Sequence, residues 1–264
     1  MVHIIGAGCG AADLITLRAK KYLEEADVII YAGSLINKEL LQYAKADCAL
    51  HDSAKMTLEE IVAVVEAAEA ENKMTVRMQS GDPSLYGAIG EQMREFDKRG
   101  IAYDITPGVS AFSGAAAALK TEYTLPDVSQ TVIITRASGK TVVPESETLR
   151  SLAAHGATMV LFLSTKLLDT VTTELIAGGY APDAPAAIVY KASWDDEKIC
   201  RCTIATLAQT AKENNITKTA LITIGGFLTS DFSRSHLYDP NYPTEYREAK
   251  GLPHEHTPSY KERK

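Results

Sequence analysis

Three times in its first half, the sequence passes from a short apolar strand through a turn of glycine, proline or small polar residues into a helix. The three turns are Gly6–Ala11 (GAGCGA), Ser80–Ser84 (SGDPS) and Pro107–Ser110 (PGVS). Glycine frees the backbone and proline lacks an N–H, so none of these turns can continue its strand. In open α/β sheets, loops at the carboxyl ends of strands bind ligands. The pattern therefore predicts an α/β domain with a small-molecule site; the alternative is that each loop is only a sharp turn.

The alternation of strands and helices restarts after a stretch without clear periodicity. Two domains of about 130 residues each also fit a chain of 264 residues. The predicted organisation is an amino-terminal α/β domain over residues 1–119, a linker over 120–130, a carboxy-terminal α/β domain over 131–228 and an extended tail over 229–264.

Hydrophobic periodicity predicts the individual elements. Strands are expected at Val2–Ile5, Val28–Ile30, Thr75–Met78, Ala102–Ile105, Val132–Thr135, Thr158–Leu163, Ala187–Tyr190, Lys198–Thr203 and Ala220–Ile224. Helices are expected from about Asp13, over Leu35–Tyr43 and Thr57–Glu71, from Ser84, and over Ser110–Leu119, Glu147–Ala154, Leu167–Ala177 and Ile204–Asn214. Thr57 and Glu60 form the pattern of a capping box, Ser146 is a candidate N-cap, and Gly178 follows its helix as a C-cap would.

Charge and composition narrow the classes of partner and the compartment. The net charge is −7 and there is no long basic run, which disfavours nucleic acid as a partner. No apolar run approaches the ~20 residues that a membrane span needs. Met1 leads directly into the first strand, so no signal peptide is expected. With four scattered cysteines, the default expectation is a cytoplasmic protein with reduced thiols.

The first glycine-rich turn fits the dinucleotide fingerprint with Ala11 in the third glycine position. That fingerprint also needs an acidic residue at the end of the second strand, to hold the ribose. The second strand instead ends in Tyr31–Ser34 (YAGS), without a carboxylate. NAD is therefore disfavoured, although backbone N–H groups of the turn could serve another ligand.

Other candidate residues have two interpretations each. Asp82, between Gly81 and Pro83, either caps an Asx turn or bonds a ribose hydroxyl or a cationic group of a ligand. Cys200 and Cys202 lie on one face of a predicted strand, and their one-residue spacing disfavours zinc. Histidines 254 and 256 are better explained by a solvated tail than by a metal site, so no metal site is predicted.

Four motifs of the first half resemble those of the S-adenosylmethionine-dependent tetrapyrrole methyltransferases, and they occur in that family's order. They are GAGCGAADLITLRA, YAGSL (Tyr31–Leu35), SGDPSLYG (Ser80–Gly87) and PGVSAFSGAAA (Pro107–Ala117). The second half is similar in its strand rhythm. YAGSL and the tail segment SRSHLYDPNYPTEYR (Ser233–Arg247) resemble the branch that methylates precorrin-4 at C11.

The resemblance implies two α/β domains with mixed sheets and a ligand cleft between them, a homodimer, and S-adenosylmethionine as methyl donor with S-adenosylhomocysteine as product. Position by position, it implies donor contacts at Gly8, Cys9, Gly10, Ser80, Gly81, Asp82, Leu85, Ser110, Ala111, Leu163 and Ala192. Two of these positions depart from the family pattern, because Cys9 replaces a usual proline and Ser80 a usual glycine. The anionic tetrapyrrole substrate needs cations or polar groups, and the candidates near loop ends are Arg77, Tyr86, Lys120, Arg136 and Lys191.

The implied reaction is methyl transfer to C11 of precorrin-4 or of its cobalt form, in cobalamin biosynthesis. No residue is identified as a catalytic base. A sister activity remains open: methylation of uroporphyrinogen-III, of another precorrin position, or of a modified protein histidine. From other classes, a non-catalytic nucleotide-binding sensor and an NAD-dependent dehydrogenase remain open.

Overall fold

The computed structural model describes residues 1–229 and 232–251, so histidines 254 and 256 and residues 252–264 of the predicted tail lie outside the described residues. The chain divides into two compact units. The first comprises Met1–Ala115 and, later in the chain, Lys191–Glu197; the second comprises Ala116–Tyr190 and the residues from Lys198 onward. The predicted domains assigned residues 191–197 to the second half, whereas the segment packs with the first unit.

The first unit contains a five-stranded parallel sheet in the order β3-β2-β4-β1-β5. Its strands are β1 (Val2–Gly6), β2 (Val28–Tyr31), β3 (Ala49–Asp52), β4 (Thr75–Gln79) and β5 (Tyr103–Thr106). Its helices are α1 (Leu17–Glu25), α2 (Leu58–Ala70), α3 (Gly90–Arg99) and α4 (Ala111–Leu119), whose last residues belong to the second unit. Short 3₁₀ helices cover Ala12–Leu14, Gly33–Leu35, Lys38–Tyr43 and Ser53–Lys55.

Both faces of this sheet are covered, as continuous apolar strands predict. Ile4 of β1 packs in one apolar cluster with Val62 and Phe96, and its neighbour Ile5 packs in a second cluster with Leu23. The predicted capping box is confirmed, because the Thr57 hydroxyl accepts from the Glu60 N–H and the Glu60 carboxylate accepts from the Thr57 N–H. The parallel arrangement places the ends of β1, β4 and β5 side by side at one edge of the sheet.

The second unit contains a five-stranded mixed sheet in the order β6-β7-β10-β8-β9, in which only β6 and β7 are paired in parallel. Its strands are β6 (Val132–Arg136), β7 (Thr158–Phe162), β8 (Pro185–Tyr190), β9 (Lys198–Thr203) and β10 (Ala220–Ile224). Its other helices are α5 (Leu149–Ala153), α6 (Leu168–Ala177) and α7 (Leu207–Glu213). Further 3₁₀ helices cover Glu145–Glu147, Thr165–Leu167, Ile204–Thr206, Gly226–Leu228 and His236–Tyr238. The expected α/β class is confirmed, with one parallel and one mixed sheet.

Several local predictions are wrong, and one strand was not predicted. The helix expected from about Asp13 begins at Leu17, after a 3₁₀ turn over Ala12–Leu14. The helix expected from Ser84 begins only at Gly90, because Tyr86 and Ala88 have φ angles of 56° and 50°, which no right-handed helix contains. The region Leu35–Tyr43 forms 3₁₀ turns instead of an α-helix. The helix expected over Glu147–Ala154 begins at Leu149 and is capped by the Thr148 side chain, not by Ser146. Strand β3 was not predicted, because it is half-exposed and lacks an apolar run.

Candidate functional site

The first and second predicted loops are joined backbone to backbone. The Gly8 N–H donates to the Gly81 carbonyl at 3.2 Å, and the Gly81 N–H donates to the Gly8 carbonyl at 2.9 Å. Both glycines have positive φ angles, 79° and 62°, so each occupies a conformation that other residues disfavour. The two loops that follow β1 and β4 therefore form one continuous structure.

The third loop reaches the same point through close approach of glycines. A side chain at Gly108 would place its Cβ 2.2 Å from the Gly81 carbonyl oxygen and 2.8 Å from the Gly6 Cα. A side chain at Gly6 would place its Cβ 2.6 Å from the Gly108 Cα. Close approach therefore requires glycine at Gly6 and Gly108, whereas the positive φ favours glycine at Gly81.

Asp82 fastens the loops further. One carboxylate oxygen accepts from the Gly108 N–H at 2.8 Å, and the other accepts from the Ser84 N–H at 2.9 Å and from the Ser84 hydroxyl. Partial burial by itself would raise the pKa of this carboxyl, but the hydrogen bonds from Ser84 and Gly108 outweigh it and lower the pKa below its ordinary value. Asp82 therefore forms the Asx turn that the sequence offered as one of two interpretations. As an ionised carboxylate, it keeps lone pairs for a further donor.

The glycine-rich loop Gly6–Ala11 is also held by Lys191–Glu197, named here the clasp segment. The Ser193 hydroxyl accepts from the Ala11 N–H at 3.0 Å and lies 3.3 Å from the Cys9 Sγ. The Trp194 Nε1–H donates to the Cys9 carbonyl at 3.2 Å. The spacing of residues in the sequence did not predict these contacts, although the resemblance at Ala192 and the candidate cation Lys191 pointed to this segment.

The structure brings most of the predicted donor contacts together in the first unit. Ser110 is buried, and a Cβ added at Gly81 would lie 3.7 Å from its Cα and 3.5 Å from the Ala111 backbone nitrogen. Leu85 is half-buried and donates its N–H to the Asp82 carbonyl at 3.3 Å. Members of this group are Gly8, Cys9, Gly10, Ser80, Gly81, Asp82, Leu85, Ser110, Ala111 and Ala192. Leu163 belongs to the second unit, where it follows β7 with 69% of its surface exposed and a φ of 53°.

Of the predicted substrate cations, Arg77 is placed where it cannot meet a ligand. It is 5% exposed, and its guanidinium donates to the Gln92 side chain at 2.9 Å and to the carbonyls of Ile30 and Met78. Burial lowers its pKa to about 10, so the group remains charged at neutral pH. The buried Arg77 side chain therefore links β2, β4 and α3 by hydrogen bonds, contrary to the prediction of a substrate-binding role.

The remaining candidates have different surroundings. Arg136 donates to the carbonyls of Thr141 and Val142 in its own turn, and Lys191 pairs with Asp196 at 2.6 Å. Tyr86 is 44% exposed. Lys120 lines a cavity of about 550 Å³ in the second unit, together with Arg201 and Phe232.

A cavity of about 580 Å³ lies beside the clasp segment in the first unit. Its lining includes the carboxylates of Asp13, Glu39, Asp195 and Asp196 and the rings of Tyr43 and Trp194. Lys191 is the one cation among the described residues that line it. The negative charge disfavours this cavity as a place for the carboxylates of an anionic substrate.

The strand order argues against a dinucleotide site. In the dinucleotide fold the first two strands are neighbours, and the acid at the end of the second reaches the ribose. Here β4 lies between β1 and β2. The Gly8 N–H, which would face a pyrophosphate, is bonded to Gly81 instead. The dehydrogenase alternative therefore loses the geometry that supported it.

No helix in the described part of the chain is long and apolar enough to cross a membrane. Among those same residues, no group of three or more His, Cys, Asp or Glu side chains could hold a metal ion.

Comparison with known proteins identifies the family. The Tetrapyrrole (Corrin/Porphyrin) Methylases match residues 1–208 of the chain. The chain belongs to the tetrapyrrole methylase family. The predicted enzyme class, a methyltransferase, and the predicted fold are thereby confirmed.

Individual members of the tetrapyrrole methylase family resemble the chain over almost its whole length. It is 52% identical to a cobalt-precorrin-4 C(11)-methyltransferase from Methanocaldococcus jannaschii, over 94% of this chain and 96% of that protein. It is 45% identical to a precorrin-4 C(11)-methyltransferase from a Sinorhizobium species, over 93% and 98% of the two chains. The crystal structure of the cobalt precorrin-4 methyltransferase CbiF has a TM-score of 0.85 and 45% identity, covering 86% of this chain and 95% of that one.

Proposed function

We propose that the chain transfers a methyl group from S-adenosylmethionine to C11 of precorrin-4 or cobalt-precorrin-4, a step of cobalamin biosynthesis. The observation that carries this proposal is the 52% identity over 94% of the chain to a relative of that named activity. Relatives named for the cobalt-containing and for the cobalt-free substrate are both close, at 52% and 45% identity. The choice between the two substrates is therefore left to experiment.

The donor would supply an electrophilic methyl group on a sulfonium. Its carbon–sulfur bond would break as the new carbon–carbon bond forms at C11, S-adenosylhomocysteine would leave with the electron pair of the broken bond, and the positive charge would pass to the ring. The chain's part is positioning. Holding the two reacting carbons in line can supply about 7–11 kcal/mol of the reduction in barrier. A firmly built site suits this task, and the three loops joined through Gly8, Gly81 and Gly108 provide such a site in the first unit.

The donor is assigned to the residues that these loops bring together. Small residues at Ser110 and Ala111 let backbone approach a ligand closely, and the ionised Asp82 carboxylate has lone pairs left for a hydroxyl or for a cationic group of the donor. The assignment in the first unit is completed by Gly8, Cys9, Gly10, Ser80, Gly81, Leu85 and Ala192. The resemblance also assigns Leu163, which belongs to the second unit.

For the anionic ring, Tyr86, Lys120 and Arg136 remain the candidate contacts. Tyr86 and Lys120 have exposed side chains and φ angles of 56° and 55°. Strained backbone of this kind is concentrated at functional sites, because surrounding structure must hold it in place.

We also propose that the enzyme is a cytoplasmic homodimer; sedimentation equilibrium of the purified protein tests its oligomeric state.

The function is tested in two steps. Titration calorimetry with S-adenosylhomocysteine and, separately, with NAD distinguishes a methyltransferase from a dehydrogenase. Turnover of purified precorrin-4 and cobalt-precorrin-4, with the new methyl group located by NMR, then fixes the substrate and the carbon. A product methylated at another position favours a sister activity, and donor binding without turnover of any tetrapyrrole favours a sensor.

A further inference from the structure

We propose that Ser193 and Trp194 are positioning residues of the methyl-transfer site: they hold the glycine-rich loop Gly6–Ala11 in the shape that accepts S-adenosylmethionine. The inference rests on the proposed function and adds to it two residues that do not themselves belong to the assigned donor contacts. The clasp segment lies between β8 and β9 in sequence, yet it packs with the first unit.

The hydrogen bonds reach both sides of Gly10. Ser193 accepts from the Ala11 N–H at 3.0 Å, and Trp194 donates to the Cys9 carbonyl at 3.2 Å. The Ser193 hydroxyl also lies 3.3 Å from the Cys9 Sγ. Gly8 is already held by Gly81, so the clasp segment holds the following three residues, which include the assigned donor contacts Cys9 and Gly10.

Packing leaves no space between the loop and the clasp segment. A Cβ at Gly10 would lie 2.3 Å from the Trp194 ring and 2.6 Å from the Ala192 carbonyl oxygen. On the α4 side, a Cβ at Gly114 would lie 2.8 Å from the Cys9 Sγ. The glycine-rich loop is thus enclosed between the Trp194 indole and the first turns of α4. A substitution of Trp194 should therefore alter the positions of Cys9 and Gly10.

The clasp segment is itself held in a strained conformation. Lys191 and Ser193 have φ angles of 48° and 66°, which non-glycine residues adopt at a cost. Glu197 accepts from the Ser193 N–H at 2.7 Å, and Asp196 pairs with Lys191 at 2.6 Å, so two side chains of the segment stabilise the turn. In this conformation the Ser193 hydroxyl contacts the glycine-rich loop.

Four variants test the assignment. Ser193→Ala removes the acceptor for Ala11, and Ser193→Gly removes it with a residue that adopts the positive φ without strain. Trp194→Phe removes the indole N–H and keeps an aromatic ring. Asp195→Asn is the matched control, because Asp195 lies in the same turn and, among the described residues, makes no hydrogen bond to the glycine-rich loop. Each variant is titrated with S-adenosylhomocysteine, assayed for turnover of the tetrapyrrole, and unfolded with urea.

Loss of one hydrogen bond that shapes the site corresponds to about a tenfold loss of affinity. We expect Ser193→Ala and Trp194→Phe each to weaken S-adenosylhomocysteine binding by about that factor and to raise the donor KM, while kcat at saturating donor changes by less than about twofold. Ser193→Gly should lose affinity by a similar factor although its turn is less strained, and Asp195→Asn should match the wild type.

Wild-type affinity in folded Ser193→Ala and Trp194→Phe, or an equal loss in Asp195→Asn, would overturn the positioning role alone. If Ser193→Ala does not fold, Trp194→Phe and Ser193→Gly decide the question, because the first keeps an aromatic ring and the second relieves the strain of the turn. Failure of the wild-type protein to bind S-adenosylhomocysteine at all would instead overturn the proposed function, and this inference with it.

Discussion

The carboxylate of Asp82 accepts the backbone N–H of Gly108 at 2.8 Å and so ties the loop after β4 to the loop after β5. Gly108 is at the same time the residue whose missing side chain lets the Gly81 carbonyl and Gly6 approach. The Asp82 carboxylate, which we expect the donor to contact, therefore belongs to the same joined loops that support the donor. Substitutions of Asp82 or Gly108 should therefore change the stability of the fold and the binding of the donor together.

Replacing Asp82 tests that coupling. Asp82→Ala leaves the N–H groups of Gly108 and Ser84 without their acceptor, so we expect the free energy of unfolding to fall by about 1–3 kcal/mol and S-adenosylhomocysteine binding to weaken. A carboxylate that only contacted a ligand could be removed with little loss of stability, so a measurable loss would reflect the hydrogen bonds to Gly108 and Ser84. Urea unfolding and calorimetry measure the two effects.

The control for this variant is Asp183→Asn, at an exposed position without a side-chain hydrogen bond among the described residues, where the change should stay within about 0.5 kcal/mol. Unaltered stability in Asp82→Ala would show that the hydrogen bond to Gly108 contributes little in solution.

The lowered pKa of Asp82 predicts a dependence of stability on pH. A carboxyl whose pKa is lower in the folded than in the unfolded state stabilises the fold fully above its unfolded pKa, about 3.9, and loses that contribution as the pH falls through the folded pKa. The free energy of unfolding of the wild type should therefore fall more steeply between about pH 5 and pH 3 than that of Asp82→Asn. Parallel curves for the two proteins would contradict the assignment.

The difference between the two pH curves isolates the contribution of Asp82, because the other carboxyls with lowered pKa values are present in both proteins. Asp27, which accepts from Lys45 and from the Met74 N–H, is one of them, and Glu95 beside Lys98 is another. Neither carboxyl shares a hydrogen-bond partner with Asp82, so we expect both to contribute equally to the two curves.

What the sequence predicted well was local. The bounds of β10 (Ala220–Ile224), the capping box of Thr57 and Glu60, and the C-cap at Gly178 follow from patterns within a few residues, and the structure confirms them. The convergence of three loops was predictable too, because parallel strands end at the same edge of their sheet.

What it did not predict depends on contacts between distant residues. The loop over Ser84–Ile89 has helical spacing of apolar residues, yet Tyr86 and Ala88 adopt positive φ angles that only the surrounding structure can maintain. The clasp segment bonds to residues more than 180 positions earlier, and no periodicity records such a contact. Arg77 was expected to contact the substrate near a loop end, but its side chain is buried.

A side chain at Gly108 tests the convergence of the loops directly. Gly108→Ala would place a Cβ 2.2 Å from a backbone oxygen that cannot move without disturbing the bridge between Gly8 and Gly81. We expect a loss of about 3 kcal/mol in the free energy of unfolding, at the upper end of the cost of overpacking. Thermal and urea unfolding measure it.

Gly90→Ala is the matched control for that substitution. Nothing lies within 4 Å of the added Cβ, and Gly90 is the first residue of α3. There alanine should be neutral or should stabilise the protein by up to about 1 kcal/mol. Equal stability of the two alanine variants would mean that the loops separate more easily than their geometry indicates.

Arg77 offers a test that separates an internal brace from a substrate contact. Its guanidinium satisfies the Gln92 side chain and two carbonyls, and lysine has neither the reach nor the planar set of donors to do the same. Arg77→Lys should therefore lower the free energy of unfolding by about 2–3 kcal/mol, since buried acceptors lose their donors. The KM for the tetrapyrrole should stay within about twofold of the wild type at a temperature where the variant is folded.

Arg136→Lys is the comparison, because the Arg136 guanidinium bonds two carbonyls of a surface turn and its loss should lower the stability less. A raised tetrapyrrole KM in Arg77→Lys with unchanged stability would return Arg77 to the substrate site.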